Sequence, residues 1–378
     1  MQGYRSAAPG DAMPYALEHL SCVCALGRSN AEVCRNLMAR SCAGLRPLSD
    51  DIPGRTVLFG EVPGELPAID DPEYDMRTNR LLKLAVENER AAFDAFIARH
   101  GAGRVAVVLG TSNTGIDEAQ RHVDAWLDSG AAPEAMRFSE IELGTPAEYL
   151  ARILGVEGPA YAISTACSSS AKAFPAARRL IESGVVDAVI VGGADGRCRF
   201  ALNGFHALGA LSQGLCRPLA PDRDGINLGE GVALFTMERA KEVRSGIVCF
   251  AGAGESSDAY HPTAPDPEGH GAEAAMRAAL ADAGMAPGDI SYVNLHGTGT
   301  IANDEMEMKA MERVFPALAE NAGPRYESTK PLTGHCLGAA GAVEAALCWF
   351  RLSADGKGAA LSNSFAFGGS NASIILSI

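Results

Sequence analysis

The feature that most constrains the fold of this chain is a series of short, continuous apolar runs separated by helix-like segments. Such runs predict strands that are buried on both faces, and helices between them cover a parallel or mixed sheet. The sequence therefore predicts an α/β protein. The predicted strands occupy residues 104–109, 187–191, 232–237, 247–252, 292–295 and 372–378, and a helix is predicted over residues 271–284.

The length of 378 residues favours two packed halves over one simple core. A charged segment, residues 238–245 (ERAKEVRS), predicts a solvated helix that joins them. We therefore divide the chain into residues 1–245 and residues 246–378. Each part contains buried strands, a helix and a glycine-rich loop, which predicts two related α/β halves.

Charge and composition narrow the functional classes. The net charge of −14 argues against nucleic acid and anionic membranes as partners. No apolar run reaches the ~18–20 residues that a membrane-spanning helix needs, and no basic stretch precedes an apolar one at the start. The ten cysteines form no CxxC pair, so no metal site is predicted, and a reducing, cytoplasmic location is expected.

Cys167 lies where residues 162–171 (AISTACSSSA) pass from an apolar run to small residues before a helix-like segment. A cysteine at a helix N-terminus meets free backbone N–H groups, which we expect to lower its pKa and favour the thiolate. Its own N–H can also face an oxyanion. A buried structural cysteine explains this segment equally well. Pro175 predicts a kink or break in the helix that follows.

Two histidines lie in loops of small residues. His296 belongs to residues 294–300 (NLHGTGT), at the carboxyl end of a predicted strand, where α/β proteins bind ligands. His335 ends residues 329–335 (TKPLTGH) and precedes another small-residue segment. Either histidine alone is more often structural. A third loop, residues 363–371 (NSFAFGGSN), has a Gly-Gly pair that lets the backbone approach a bound group closely.

In this order, and together with residues 192–195 (GGAD), these motifs resemble the β-ketoacyl-acyl-carrier-protein synthases, the elongating branch of the thiolase-like condensing enzymes. The likeness runs from about residue 105 to the end. It implies a thiolase-like fold, in which two related α/β halves form a layered α-β-α-β-α architecture. It also implies a decarboxylative Claisen condensation of an acyl thioester with malonyl-carrier protein, in fatty acid, polyene or polyketide-type elongation.

The resemblance assigns the catalytic roles residue by residue. It implies that Cys167 carries the acyl chain as a thioester. His296 and His335 would hydrogen-bond the malonyl carbonyl and stabilise the enolate that forms on loss of CO2. Lys330 would complete the catalytic group. The oxyanion on the acylated cysteine would lie between the N–H groups of Cys167 and Phe367, and Phe367 would also gate the acyl pocket.

Further residues match supporting positions of the family. A buried charge network orients the histidines, phosphopantetheine-binding hydroxyls line the approach, and two residues line the acyl pocket. The resemblance implies neither a metal nor a redox cofactor, since the phosphopantetheine arm comes with the carrier. The network is Lys330 with Glu344, Asp304 and Glu307; the arm-binding residues are Thr298 and Thr300; the acyl-pocket residues are Asn113 and Phe365.

The pattern favours elongation over related chemistries. Starter-type enzymes of this fold use Cys-His-Asn, and thiolases use a second cysteine near the C-terminal glycine loop; this chain has His335 and no cysteine after Cys348. Three alternatives remain open: a non-catalytic or partner-dependent chain-length subunit, a thiolase or acyltransferase that uses coenzyme A, and a cysteine hydrolase. The chain departs from the family at Ala366, a glycine in the family loop, and at Ile301, where the family has proline.

The predicted partner is an acyl carrier protein. Carrier proteins are acidic, so docking on this acidic chain requires a local basic patch. Arg77, Arg80 and Lys83 share one face of a predicted helix and form the proposed patch, although a solvated helix face explains them equally well. The resemblance also implies a homodimer, in which residues 187–191 pair across the two-fold axis, or a heterodimer with a cysteine-less homologue. The polar Asn113 suggests a substrate other than a simple saturated chain.

Overall fold

The computed structural model describes residues 14–240 and 246–378 of the chain. The strands in this part are β1 (Tyr15–Ala16), β2 (Leu20–Cys24), β3 (Leu45–Leu48), β4 (Val57–Gly60), β5 (Val105–Gly110), β6 (Ala160–Ile163), β7 (Ala188–Asp195), β8 (Leu228–Gly229), β9 (Gly231–Arg239), β10 (Cys249–Ser257), β11 (Tyr292–Asn294), β12 (Arg325–Glu327), β13 (Ala359–Phe365) and β14 (Ser370–Ser377).

The helices alternate with these strands along most of the chain. They are α1 (Asn30–Met38), α2 (Arg77–Asn88), α3 (Arg90–His100), α4 (Ile116–Ser129), α5 (Thr145–Leu154), α6 (Ser169–Glu182), α7 (Arg199–Ala207), α8 (His270–Ala283), α9 (Ile301–Val314), α10 (Lys330–Thr333) and α11 (Ala340–Asp355). None of the helices in the described part of the chain is long and apolar enough to cross a membrane.

The main sheet contains the same strand order twice. In the first half the order is β6-β5-β7-β9-β2, and in the second half it is β12-β11-β13-β14-β10. When the strands of each half are numbered in chain order, both sheet orders read 3-2-4-5-1. Strands 3, 2 and 4 are parallel, and the pairings of strand 4 with 5 and of strand 5 with 1 are antiparallel. The short strand β1 pairs with β9 and β10 and so joins the halves. The two halves therefore repeat one topology, as predicted.

Helices α6 and α11 hold equivalent positions, each between the third and fourth strands of its half. They contact each other, and each contacts strands of both halves, so they form a central layer. Helices α2 and α5 cover the outer face of the first half, and α8 with α9 covers the second. The resulting α-β-α-β-α layering is the thiolase-like architecture, which confirms the predicted fold class.

The central layer requires close approach of backbones around the start of α6. A Cβ atom added at Gly110 would lie 2.1 Å from the backbone nitrogen of Ser170, and one at Gly193 would lie 2.5 Å from the Ser170 Cβ atom. On the facing helix, a Cβ atom at Gly341 would lie 2.7 Å from the nitrogen of Ala171. Glycine at these three positions lets the first turn of α6 lie directly against two strands and α11.

The predicted break at Pro175 and the predicted helix over residues 238–245 both differ from the structure. Pro175 lies inside α6, yet the helix continues from Ser169 to Glu182, because its burial between both halves outweighs one missing backbone hydrogen bond. The charged segment over residues 238–245 is not a helix at its start, since β9 runs to Arg239. Residues 241–245, and with them the predicted domain boundary, lie outside the described residues.

The strand predicted to pair across a two-fold axis cannot do so. Strand β7, which covers residues 188–191 of that prediction, is hydrogen-bonded to β5 on one side and to β9 on the other. Among the described strands, β6, the strand before the cysteine, has an unpaired edge, and its Tyr161 and Ile163 are only partly buried. Pairing along this edge of the sheet is therefore open to β6 and closed to β7.

We expect Gly110→Ala to lower the stability of the protein by ~1–3 kcal/mol or more, because the new methyl group overlaps the backbone of α6. Gly103→Ala is the matched control, since nothing lies within 4 Å of a Cβ atom there and its φ is ordinary. Urea unfolding of both variants measures the difference. Equal stabilities would show that α6 can retreat without cost and would contradict this account of the central layer.

Candidate active site

Four loops meet around one cavity of about 220 Å³. Cys167 comes from the turn between β6 and α6, His296 from the loop after β11, and His335 from the segment between α10 and α11. Phe365 and Phe367 come from the end of β13. All five line the cavity, so residues separated by about 200 positions in sequence share one site.

Cys167 lies in a sharp turn. Ala166 adopts a left-handed backbone conformation (φ 52°), and the Ser169 hydroxyl, which donates to the Ala166 carbonyl, accepts a hydrogen bond from the Thr165 N–H. The side chain ends up 7% exposed, directly before the first turn of α6. The expected lowering of its pKa is wrong: burial raises the pKa of the Cys167 thiol to about 11. The charge of Lys330 and the N–H groups of Phe367 and Cys167 oppose that rise without cancelling it.

His335 contacts the nucleophile directly, with its Nε2 atom 2.9 Å from the Cys167 Sγ atom. Its backbone is fixed on both sides, because its N–H donates to the Asn227 carbonyl and its carbonyl accepts from Gly229. Burial, followed by the nearby charge of Lys330, holds the pKa of His335 well below its usual range, so the ring is neutral. The Nδ1 atom has no hydrogen-bond partner among the described residues, so contacts on that side do not select one tautomer.

His296 is held in one tautomer. The Nζ atom of Lys330 lies 3.5 Å from the His296 Nδ1 atom and also donates to the His296 carbonyl. Because an ammonium group only donates, Nδ1 accepts and the ring proton lies on Nε2. Burial and the charge of Lys330 keep the pKa of His296 well below its usual range. The two imidazole rings lie 5.4 Å apart and almost perpendicular.

The predicted charge network divides into two separate parts. Lys330, which is fully buried, pairs with Glu344 at 2.6 Å and does not line the cavity. Asp304 instead accepts hydrogen bonds from the N–H groups of Gly299 and Leu219. The expected direct pairing of Lys330 with Asp304 and Glu307 is therefore wrong, because the two carboxylates on α9 bind the backbone of the histidine loop.

The Glu307 carboxylate fixes the backbone of the loop that carries His296. Its two oxygens accept hydrogen bonds from the N–H groups of His296 (2.8 Å) and Gly297 (2.7 Å). Asn363 donates a third hydrogen bond to the same carboxylate at 3.1 Å. Burial raises the pKa of Glu307 to about 7 despite these donors. The conformation of the loop that carries His296 therefore depends on a carboxylate that titrates near neutral pH.

The remaining approach to Cys167 is lined by hydroxyls and aromatic rings. Thr298 and Thr300 line the cavity, and their Oγ1 atoms lie 2.8 Å apart. Phe367 stacks on Phe205 of α7 at 5.5 Å between ring centroids. Ala366 has φ −99° and ψ 156°, a conformation that any residue adopts, so alanine causes no strain in place of the family's glycine here.

Asn113 does not lie on this cavity, which corrects the prediction that it lines the acyl pocket. Its N–H donates to Asp195 at 2.9 Å and its side-chain amide donates to the Gly196 carbonyl. The buried Asp195 carboxylate also accepts from the Thr111 hydroxyl and from the N–H and hydroxyl of Ser112. The polar groups of the loop after β5 thus bind the Asp195 carboxylate. The polarity of Asn113 therefore gives no information about the substrate.

The predicted basic patch is neutralised within the protein. Arg77, 26% exposed, makes two contacts of 2.6 Å to the fully buried Glu230 carboxylate and one of 3.1 Å to Glu61. Arg80 forms a two-point ion pair with Asp75. Lys83 donates to a backbone carbonyl and lies 3.9 Å from Glu87. The three residues do share helix α2, but their charges are occupied and offer no free basic face.

The Cys167, His296 and His335 cluster also offers three potential ligands to a metal ion. One potential ligand atom from each residue lies within 4.8 Å of the others, and all three side chains are buried. A thiolate and two neutral imidazoles are ligands that Zn²⁺ accepts. The same arrangement of a nucleophile with two imidazole N–H donors also suits acyl transfer and enolate stabilisation.

Sequence inspection missed the residues that position the site from outside it. Glu230 accepts hydrogen bonds from the N–H groups of Val62 and Arg197, and it follows the segment whose Gly229 N–H binds the His335 carbonyl. Asn363 was noted only as part of a motif. A glutamate between two glycines, in an otherwise apolar run over residues 228–237, is the signal that could have identified Glu230.

Comparison with known proteins identifies the family. The family described as "Beta-ketoacyl synthase, N-terminal domain" matches residues 74–243, and the one described as "Beta-ketoacyl synthase, C-terminal domain" matches residues 247–356. Between them the matches cover most of the chain, and they place Cys167 in the first domain and both site histidines in the second.

Individual relatives agree with this assignment. Nodulation protein E of Rhizobium meliloti is 32% identical over 344 residues, which cover 86% of this chain and 82% of that protein. The 3-oxoacyl-[acyl-carrier-protein] synthase 2 of Staphylococcus aureus is 34% identical and covers 73% and 71%. A solved complex of a ketosynthase with its chain length factor from Xenorhabdus doucetiae matches at 40% identity and TM-score 0.89, covering 97% and 98%.

We expect Arg77→Gln to destabilise the protein by ~3 kcal/mol or more, because it leaves the buried Glu230 carboxylate without its cation. Arg80→Gln is the control and should cost about 0–1 kcal/mol, because Asp75 is partly exposed. Denaturant unfolding of the two variants compares them. If Arg77 and Arg80 served only to dock a partner, both variants would keep the stability of the unchanged protein. That result would restore the basic-patch interpretation.

Proposed function

The chain belongs to the β-ketoacyl synthase family, and we propose that it extends an acyl thioester held on Cys167 by two carbons, in a decarboxylative Claisen condensation with malonyl-carrier protein. The observation that supports this most directly is the contact of 2.9 Å between His335 Nε2 and the Cys167 sulphur, beside the single-tautomer His296. A nucleophile and two imidazoles share one buried cavity.

The first step transfers the acyl group. Because the pKa of the Cys167 thiol is about 11, the thiol needs a base, and His335 Nε2 is in position to accept its proton. The sulphur then attacks the thioester carbonyl of the incoming acyl-carrier. The oxyanion is stabilised by the N–H groups of Cys167 and Phe367. The intermediate collapses by breaking the carbon–sulphur bond to the carrier arm, and the departing thiolate takes the proton from His335.

The second step produces the carbon nucleophile. With malonyl-carrier in the cavity, the Nε2–H group of His296 donates to the malonyl thioester oxygen. His335 donates beside it after its ring proton exchanges from Nδ1 to Nε2. Breaking the bond to the carboxylate releases CO2 and leaves its electron pair in an enolate, whose charge the two donors stabilise. Because the pKa values of both histidines lie well below their usual range, both rings are neutral in this cavity. Each ring can therefore donate an N–H hydrogen bond without transferring its proton to the substrate.

The third step forms the new carbon–carbon bond. The enolate carbon attacks the acyl carbonyl on Cys167, and the bond from that carbonyl to sulphur breaks. One proton returns to the cysteine thiolate, so each turn consumes one proton and releases one CO2. These steps use protein side chains and the carrier's phosphopantetheine arm, which we propose that Thr298 and Thr300, both lining the cavity, bind. We propose that no metal or redox cofactor takes part.

Lys330, Glu344 and Glu307 act through the histidines and not on the substrate. Lys330 selects the donor tautomer of His296, and Glu344 balances its buried charge. Glu307 fixes the backbone that carries His296. We therefore propose positioning roles for all three, including Lys330.

The proposed partners are an acyl carrier protein and a second chain of the same fold. The printed names of the relatives include a synthase acting on acyl-carrier protein and a ketosynthase with its chain length factor. In this chain, the unpaired edge of β6 lies in the first half, and α4 exposes Val123, Trp126 and Leu127. Such apolar surface favours a subunit contact. We propose a cytoplasmic dimer, either of two identical chains or with a cysteine-less homologue.

A non-catalytic chain-length subunit is the second candidate, because a relative is a complex that contains one. The complete set of Cys167, His296 and His335, with one potential ligand atom of each within 4.8 Å of the others, argues for the catalytic subunit.

We expect the enzyme, incubated with acyl-carrier and malonyl-carrier, to yield a carrier whose acyl chain is two carbons longer as a β-keto thioester. Intact-mass spectrometry detects this product and the acyl adduct on Cys167. Cys167→Ala should give neither, and dialysis against EDTA should leave the yield unchanged. Acylation without extension would indicate a transferase or a missing partner subunit. The absence of both products would favour the non-catalytic candidate.

We expect the turnover rate to fall as pH drops through about 7, because Glu307 then gains a proton and loses its hold on the His296 N–H. The histidines do not titrate there, since their pKa values lie well below the usual range. Glu307→Gln should lower the rate several-fold and remove this inflection from the pH profile. Glu305→Gln, on the exposed face of the same helix, should keep it. An inflection that persists in Glu307→Gln would contradict the assignment.

A further inference from the structure

The nucleophile and the two imidazoles form a set of side chains that a thiophilic metal ion also binds. One potential ligand atom each from Cys167, His296 and His335 lies within 4.8 Å of the others, and all three side chains are buried. Ligand atoms at about 2.0–2.3 Å from a tetrahedral zinc ion lie about 3.3–3.6 Å from one another, so side-chain movements of about 1 Å complete the set. The cavity leaves a fourth position open to water. Three protein ligands and one open position are the arrangement of a catalytic zinc site.

A metal ion bound at this cluster would stop the proposed chemistry. The Cys167 sulphur would hold the ion in place of its proton, and the lone pair that attacks the thioester would be occupied. His335 would lose the use of Nε2, the nitrogen that lies 2.9 Å from the sulphur. The proposed reaction therefore requires that the cluster stay free of metal, although its side chains are suited to bind it.

Lys330 lies directly behind the cluster as a charged ammonium group. Its Nζ atom has three acceptors: the His296 carbonyl, the Glu344 carboxylate at 2.6 Å and the His296 Nδ1 atom at 3.5 Å. An ammonium group has three N–H donors and a neutral amine has two, so three acceptors select the charged form. Because Lys330 is fully buried, solvent ions screen its charge much less than they would on the surface.

The ammonium group withholds the ligand that His296 would supply, whichever ring nitrogen is considered. The Nδ1 lone pair accepts from Lys330. With Nδ1 as an acceptor, Nε2 carries the ring proton and has no lone pair for a metal ion. Binding through Nε2 would move that proton to Nδ1, where it would face the N–H groups of the ammonium. A metal ion must therefore break the contact between Lys330 and His296 before the third ligand is free.

The charge of Lys330 also repels the ion itself. The imidazole ring is rigid, so a divalent ion bound at Nε2 of His296 would lie about 7 Å from the ammonium nitrogen. At an effective dielectric constant of about 20, the repulsion over that distance corresponds to about 1,000-fold in affinity. The Glu344 carboxylate, 2.6 Å from Nζ, offsets part of this repulsion. We therefore expect Lys330 to weaken metal binding about 100-fold.

We propose that Lys330 excludes thiophilic divalent metal ions, zinc in particular, from the cluster of Cys167, His296 and His335. This role goes beyond the proposed condensation, because it concerns which ions the cavity admits and not the steps of turnover. The same contact serves both purposes: it leaves the Nε2–H group of His296 as a donor for the substrate, and it leaves no lone pair there for a metal.

The test measures the zinc affinity of the full chain by competition with a chromophoric chelator. Cobalt serves as a second probe, because a cobalt–thiolate bond gives a charge-transfer absorption band that identifies a cysteine ligand. Lys330→Met should bind one zinc ion about 100-fold more tightly than the unchanged protein and should show the cobalt band. Adding Cys167→Ala should abolish both gains. Lys172→Met is the matched control and should change neither, because Lys172 is also largely buried and paired with a carboxylate, Glu255, but does not line the cavity.

Lys330→Met leaves the Glu344 carboxylate buried without its cation, so Lys330→Met/Glu344→Gln provides a second variant in which neither charge remains. Circular dichroism establishes that each variant is folded. The double variant should also gain the cobalt band, with a zinc affinity between those of Lys330→Met and the unchanged protein. Glu344→Gln alone should bind zinc no more tightly than the unchanged protein, because its ammonium charge is then uncompensated.

Two results would overturn the proposal. The first is one equivalent of zinc bound at Cys167 in the unchanged protein with the affinity of the Lys330→Met variant, a measurement that requires no change at Cys167 or its neighbours. The second is the absence of any gain in zinc affinity in the folded variants. Both are binding measurements without substrate, so a failure of the proposed condensation would leave them equally decisive for the role of Lys330.

Discussion

The rest of the site depends on the contact between the first turn of α6 and the glycines that surround it. Gly110 and Gly193 on the first half-sheet and Gly341 on α11 leave no room for a Cβ atom. This contact places the nucleophile of one half within reach of both histidines of the other half. The repeated 3-2-4-5-1 topology makes it possible, because it puts α6 and α11 at equivalent positions in one central layer. The active site is thus a product of the packing of two halves and belongs to neither alone.

One buried cation then organises the chemistry at that junction. Lys330 fixes the tautomer of His296, helps to keep both imidazoles neutral, and lowers the pKa of Cys167 against the larger effect of burial. A buried lysine without a counter-ion would be costly, and Glu344 supplies that charge at 2.6 Å. The two histidines therefore differ: His296 has a fixed proton on Nε2, whereas no contact at Nδ1 fixes the proton of His335, so it can serve first as base and then as donor.

Much of this could be predicted from the sequence, for reasons that are physical. Continuous apolar runs are typical of doubly covered strands, and β5, β7 and β14 lie on the runs predicted at residues 104–109, 187–191 and 372–378. Cys167, His296 and His335 were identified by motif and lie together. The wrong predictions concern the effects that residues distant in sequence but close in the fold have on a side chain. Helix position suggested a lowered pKa for Cys167, yet burial dominates. Spacing suggested a free basic face at Arg77, yet Glu230, 153 residues away, neutralises it. Neither effect is encoded locally.

The pairing of Arg77 with the buried Glu230 removes that arginine from any docking surface. An acidic carrier favours a basic patch on this chain, but Arg77 and Arg80 pair with carboxylates of the chain itself. Arg77 stabilises the buried Glu230, whose neighbour Gly229 binds the His335 carbonyl, so reversing this arginine would disturb the catalytic histidine before it affected any docking surface.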